Sequence, residues 1–84
     1  MTVKARVLAS TNQHGHEIVY RRVKRTNELV IDGNVYDEYT ATMEVAHVLV
    51  GKVDGHVVKA GHDGGVYSFI IVDDILVAKK IRWY

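Results

Sequence analysis

Three apolar runs in this chain end in aspartate turn signals: Leu29-Val30-Ile31-Asp32-Gly33, Gly51-Lys52-Val53-Asp54-Gly55 and Ile70-Ile71-Val72-Asp73-Asp74. Asp-Gly supplies the positive φ angles that tight two-residue hairpin turns require. The turn aspartates recur roughly every twenty residues, which suits a meander of hairpins better than a solenoid of closely similar repeats. At Asp32-Gly33, a two-residue turn sets Val30 opposite Val35, whereas a three-residue loop sets Ile31 there.

The densest apolar stretch is Tyr67 to Lys80, folded at Asp73-Asp74. Counting outward from that turn pairs Val72 with Ile75, Ile71 with Leu76, Ile70 with Val77 and Phe69 with Ala78. Both faces of both strands are then apolar near the turn. A half-solvated antiparallel strand alternates apolar and polar residues, so this hairpin is expected to be covered on two sides and central in the fold. On that expectation Ile71→Asp unfolds the domain, whereas Lys80→Glu leaves it folded and alters only binding.

The remaining segments also read as strands. Residues 3–9 alternate as a half-buried strand, and residues 10–16 form a polar loop containing Gly15. Residues 17–25 form a strand with Ile18 and Tyr20 on one face and Val19 and Val23 on the other. Its basic ending Arg21-Arg22-Val23-Lys24-Arg25 looks like a protected sheet edge. Residues 36–41 and 43–50 read as two strands about a bend, with a β-bulge at Val45-Ala46 where the apolar phase changes; a helix over 41–49 is the alternative. Val53-Asp54-Gly55-His56 repeats the turn chemistry, and residues 61–65 make the loosest loop. The chain is therefore expected to be all-β: a single domain over residues 1–84, an antiparallel sandwich or barrel of about seven to eight short strands joined by hairpins.

At 84 residues, a chain buries only about 60–65% of its unfolded surface, so a partner can matter to its stability. The absence of cysteine excludes disulfides, thiolate zinc sites and a cysteine nucleophile. No apolar run approaches the roughly 18 residues needed to span a bilayer, and residues 1–12 lack the apolar core of a signal peptide. These features fit a soluble, untargeted chain.

The net charge of +1 conceals a segregation. Residues 1–26 hold six Lys/Arg against Glu17 alone, residues 27–74 hold two lysines against nine acids, and the last ten residues add Lys79, Lys80 and Arg82 without an acid. Arg21, Arg22, Lys24, Arg25, Lys79, Lys80 and Arg82, with Tyr20, Trp83 and Tyr84 near them in sequence, are the candidate binding residues. They suit nucleic acid through charge and stacking, anionic headgroups, or simply a solvated, edge-protecting face.

Catalytic signals are missing. Ser10 and Ser68 are the only serines, and neither sits in a G-x-S-x-G elbow. There is no phosphate-cradling loop and no dinucleotide fingerprint. Asp32-Gly33-Asn34 followed by Asp37-Glu38 has the wrong order for a calcium loop. His14-Gly15-His16, completed by His56 or by His62-Asp63, could hold a metal, but without recognisable ligand spacing the expectation is no metal, no cofactor and no enzyme. Asp73-Asp74 reads as a turn rather than a ligand pair.

The run from Ala9 to Glu38, with Val53-Asp54-Gly55-His56-Val57-Val58-Lys59-Ala60-Gly61-His62-Asp63 and Ala78-Lys79-Lys80-Ile81-Arg82, resembles a small β-domain of uncharacterised bacterial membrane-associated proteins. That resemblance implies a domain attached to, or following, membrane segments absent from this chain. A basic segment after a membrane helix would place it in the cytoplasm. The expected role is thus a non-enzymatic interaction or accessory domain, with an unidentified protein or an anionic membrane surface as partner. A basic-surface nucleic-acid-binding module is the alternative. Self-association through residues 66–72 is a third possibility, since an unbroken apolar strand at an edge would template pairing.

Overall fold

The computed structural model describes residues 5–40, 46–64 and 67–81. Eight strands follow one another: β1 (Arg6–Gln13), β2 (His16–Val23), β3 (Thr26–Ile31), β4 (Asn34–Thr40), β5 (His47–Val53), β6 (His56–His62), β7 (Tyr67–Val72) and β8 (Ile75–Ile81). They form two antiparallel four-stranded meanders, β1-β2-β3-β4 and β5-β6-β7-β8. The two sheets pack as a sandwich and do not close into a barrel. β1 lies against β7 and β8, and β5 lies against β3 and β4. At the second of these seams, Asp37 of β4 accepts a hydrogen bond from the Val50 backbone N–H of β5 at 3.0 Å. Among the described residues there is no helix, hence none long and apolar enough to cross a membrane.

Period-two alternation fixes the inner faces. Ile18 and Tyr20 of β2, Leu29 and Ile31 of β3, Val58 and Ala60 of β6, and Ile70 and Val72 of β7 meet in one buried core. Burying a large aliphatic or aromatic side chain contributes roughly 1.5–3 kcal/mol, so these positions hold the fold. The expected face assignment of β2 agrees with this burial.

The turns follow their residue chemistry. Asp32-Gly33 is a two-residue turn, with Val30 opposite Val35. His14 and Gly15, Asp32 and Gly33, Asp54 and Gly55, and Asp73 and Asp74 all have positive φ, as the primed hairpin turns demand. Within that set only Asp73-Asp74 lacks a glycine.

The second sheet repeats the first. β3 and β7 meet the next strand through the same irregularity. Leu29 pairs with Asp37 and Val30 with Val35, leaving Tyr36 extra; Ile70 pairs with Ala78 and Ile71 with Leu76, leaving Val77 extra. The Asp32 N–H donates to the Glu17 carbonyl at 2.9 Å, as the Asp73 N–H does to the Val57 carbonyl at 2.9 Å. In return, the Glu17 N–H donates to the Asp32 carboxylate and the Val57 N–H to that of Asp73, each at 3.0 Å. His14, His16 and Asp32 of the first half thus correspond to Asp54, His56 and Asp73 of the second.

Several sequence expectations are corrected. The polar loop over 10–16 shrinks to His14-Gly15, because β1 runs on to Gln13 in register with His16. β2 is an interior strand between β1 and β3, and Lys24-Arg25 is its turn rather than an edge. The bulge at Val77 replaces the expected Ile70–Val77 and Phe69–Ala78 pairs with Ile70–Ala78 and Phe69–Lys79. The hairpin is not covered on both sides. β7 is interior to its sheet, but β8 is an edge, with Ile75 65% and Leu76 54% exposed. Ile71 points away from the core, so Ile71→Asp is expected to leave the domain folded. His47, Val48 and Leu49 lie in β5 and not in a helix. The expected bulge at Val45-Ala46 involves Val45, which lies outside the described residues.

Candidate functional site

Residues paired across a sheet point to the same side, so register and burial together identify the outer faces. On the second sheet, Val48, Val50 and Lys52 of β5 share the outer face with Val57, Lys59 and Gly61 of β6. Tyr67, Phe69 and Ile71 of β7 continue it, and Leu76, Lys79 and Ile81 of β8 complete it. Val48, Val50, Leu76 and Ile81 are exposed, and Tyr67, Phe69 and Ile71 are half-buried. The Lys79 ammonium stands 4.0 Å over the Tyr67 ring. These strands bring three lysines and no acid to the face; Asp74, at the adjoining turn, lies 4.0 Å from Lys59. This explains the doubly apolar β7: one apolar side faces the core and the other is left open.

The first sheet's outer face has a different character. Ser10 pairs with Val19, Val19 with Val30 and Val30 with Val35, while Arg21 lies beside Glu28 and Glu28 beside Glu38. The Arg21 guanidinium donates to Glu28 at 2.8 Å.

The turns at one end bring together a histidine–aspartate cluster. His16, at the start of β2, bonds Asp32 through Nδ1 at 2.5 Å and Asp54 through Nε2 at 2.7 Å. The Asp32 bond first, then the Asp54 bond, raises the His16 pKa above 6.5. Asp32 is held below 3.8 by the His16 bond and then by the Glu17 N–H. On the equivalent side, His56 Nδ1 lies 2.6 Å from Asp73. That bond, followed by the Val57 N–H, lowers the Asp73 pKa. His14 stacks on His56 with centroids 3.8 Å apart and planes 8° from parallel, and its Nε2 is 4.0 Å from Asp73.

The arrangement weighed in the sequence, His14 and His16 on one metal, does not form, because both His16 nitrogens face carboxylates. His62 lies at the far end of β6 from His56, about 20 Å away at 3.3 Å per residue, so it cannot complete a site there. It is instead buried against His47, whose ring meets it edge-on at 4.6 Å. His47 also contacts the Tyr20 hydroxyl at 3.0 Å and stacks on Tyr39. Asp73 is a turn residue, as expected, and also the partner of His56.

The basic candidates do not share one face. Arg21 is on the outer side of the first sheet with Glu28, and Arg22 points inward and donates to Asn27 at 2.8 Å. Lys24 and Arg25 are exposed at the β2–β3 turn. Lys79 is on the second sheet's outer face, and Lys80, opposite the buried Ser68, sits at the rim of the inner one. Arg82 lies outside the described residues, as do Trp83 and Tyr84. Lys52 and Lys59, which the sequence reading did not select, join Lys79 instead. The available signal was β7 itself, apolar in both phases, followed by a lysine-bearing edge. Compared with family models, curated proteins and solved structures, the chain matches none.

Proposed function

We propose that this chain is a non-enzymatic interaction domain that lays the outer face of its second sheet on an anionic membrane surface, as an accessory part of a membrane-associated protein. The observation that carries this reading is an open apolar face, Val48, Val50, Phe69, Ile71, Leu76 and Ile81, interspersed with Lys52, Lys59 and Lys79 and free of acids on its strands. The cation type favours a lipid surface over a protein. Protein interfaces are depleted in lysine and enriched in arginine. A lysine stem instead lies along apolar surface while its ammonium reaches a headgroup. Each lysine near an anionic leaflet is worth about 1 kcal/mol. Anionic lipid is concentrated on the cytoplasmic leaflet, so this reading carries a cytoplasmic location with it.

Cosedimentation tests the reading, using vesicles of phosphatidylcholine alone or mixed with phosphatidylserine. The expected result is pelleting with the mixed vesicles only, reduced by salt and abolished by Lys59→Glu combined with Lys79→Glu. Equal pelleting with neutral vesicles, or no effect of the double variant, overturns it. Retention on single-stranded DNA without retention on vesicles also overturns it, in favour of a nucleic-acid partner.

A further inference from the structure

We propose that His14, His56 and Asp73 bind a single divalent transition-metal ion of the zinc class at the turn end of the sandwich. One nitrogen from each ring and one Asp73 oxygen already lie within 4.8 Å of one another. Ligands on tetrahedral zinc, with bonds of about 2.0 Å, stand about 3.3 Å apart. His14 is exposed and His56 half-buried, so rotating these rings out of their stack closes the remaining gap. All three residues are anchored in backbone that is itself fixed. His14 is a turn residue, His56 opens β6, and Asp73 is tied to Val57 by one backbone bond and by the Val57 N–H donating to its carboxylate.

The internal repeat supplies the argument for a ligand. The same three positions occur twice, as His14, His56 and Asp73 and as Asp54, His16 and Asp32. In the second set one imidazole faces two carboxylates, and both of its nitrogens are occupied at 2.5 Å and 2.7 Å. That set is complete in itself. In the first set the turn residue is a histidine, so two imidazoles face one carboxylate. His14 does not take the place of Asp54 as an acceptor from the facing imidazole; it stacks on His56 instead. The difference at one turn position converts a closed salt bridge into a His₂Asp donor set with ring nitrogens to spare. Two imidazoles and a carboxylate are the ligands of open zinc sites, with water filling the remaining position. Imidazole suits zinc, nickel and copper, whereas magnesium and calcium prefer oxygen. This site is separate from the outer face of the second sheet and does not depend on the membrane reading.

The repeat also gives the experiment its control. Calorimetric titration of the whole chain with zinc chloride, in a buffer that does not coordinate metals, is expected to saturate at one equivalent. Magnesium chloride is expected to give no binding heat. His14→Asp rebuilds the self-satisfied arrangement of the other half and should lose zinc binding. His14→Asn, which also tolerates positive φ, should lose it too, with an unchanged circular dichroism spectrum showing that the fold survives. Asp54→His should create a second site and raise the stoichiometry to two. No zinc heat from the native chain, magnesium binding of similar strength, undiminished binding by both His14 variants, or a stoichiometry of one in Asp54→His each overturns the assignment.

Discussion

The two sheets share a backbone plan and an inner face but differ outside. Ile18, Leu29 and Ile31 of the first correspond to Val58, Ile70 and Val72 of the second, and all are buried. Outside, Glu17, Glu28 and Glu38 correspond to Val57, Phe69 and Lys79. The core positions keep their apolar character because each half must cover the other. The outer positions are under no such constraint. One sheet sets Glu17, Glu28 and Glu38 with Arg21 beside a row of valines, Val19, Val30 and Val35, and the other is apolar and basic. The proposed membrane contact rests on this divergence.

The largest expected effect separates neighbouring residues on the two sides of β7. Ile70→Asp places a carboxylate in the core, where Ile70 is fully buried. The penalty for an unpaired buried charge exceeds the roughly 5 kcal/mol available to a small domain. That variant should be unfolded by circular dichroism. Ile71→Asp, on the half-buried outer face, should fold and lose vesicle binding. If both unfold, the second sheet's outer face is not open and the comparison fails.

A smaller effect tests how the two halves fit their first pair of strands. β1 carries an extra residue at Leu8, between Val7 opposite Arg21 and Ala9 opposite Tyr20. β5 runs without that irregularity and pairs Val48 with Gly61. There a Cβ on Gly61 would run into the His47 carbonyl oxygen. The first half relieves the crowding with a bulge and the second with a glycine. Gly61→Ala should therefore cost about 1–3 kcal/mol, the usual range for overpacking, read as a lowered denaturation midpoint. A neutral result would show that β5 can adopt the bulge of β1.

The ionic turn of the first half should appear in the pH dependence of stability. The folded-state pKa of Asp32 lies below 3.8 because of His16 and the Glu17 N–H. A lowered carboxylate pKa contributes stability that is complete above the unfolded value and is lost as pH falls through the folded one. Asp32→Asn should therefore melt lower than the native chain at neutral pH, with the gap closing in acid below 3.8. A gap that persists unchanged into strong acid would assign the effect to the turn backbone rather than to the ion pair.

Local chemistry made much of the fold legible in the sequence. Asp-Gly marked the turn and left two registers open, of which the Val30–Val35 one forms, and alternation in β2 placed Ile18 and Tyr20 inward. Periodicity could not tell a covered apolar face from an open one, so Phe69 and Ile71 were read as core. Nor could it foresee the extra residues Tyr36 and Val77, which change register without changing composition. The histidine cluster needs turns from both halves to meet, and no local signal announces that. A faint one does exist: Gly15-His16 and Gly55-His56 are each followed by their partner aspartate, 16 and 17 residues beyond the histidine. Aligned on the aspartate turns alone, Asp54 seemed to match Asp32, whereas its structural counterpart is His14.

The smallest prediction concerns a turn position where the second half departs from the first in backbone chemistry. Gly33 has φ of 83°, and the equivalent Asp74 holds 66° with a side chain attached. Left-handed backbone costs an ordinary L-residue roughly 1–2 kcal/mol, less for aspartate, which visits this region more readily. Asp74 is almost fully exposed, and its contact with Lys59 is a long one of 4.0 Å, so little is lost on removing it. Asp74→Gly should therefore stabilise the chain by about 0.5 kcal/mol, the relief of strain being partly offset by the greater freedom of glycine in the unfolded state. The same change leaves Lys59 without a nearby carboxylate, so vesicle binding should strengthen slightly. A chain that becomes more stable but binds no better would confine the role of Asp74 to the turn; one that is destabilised would show that the turn relies on the aspartate side chain as the first half relies on glycine.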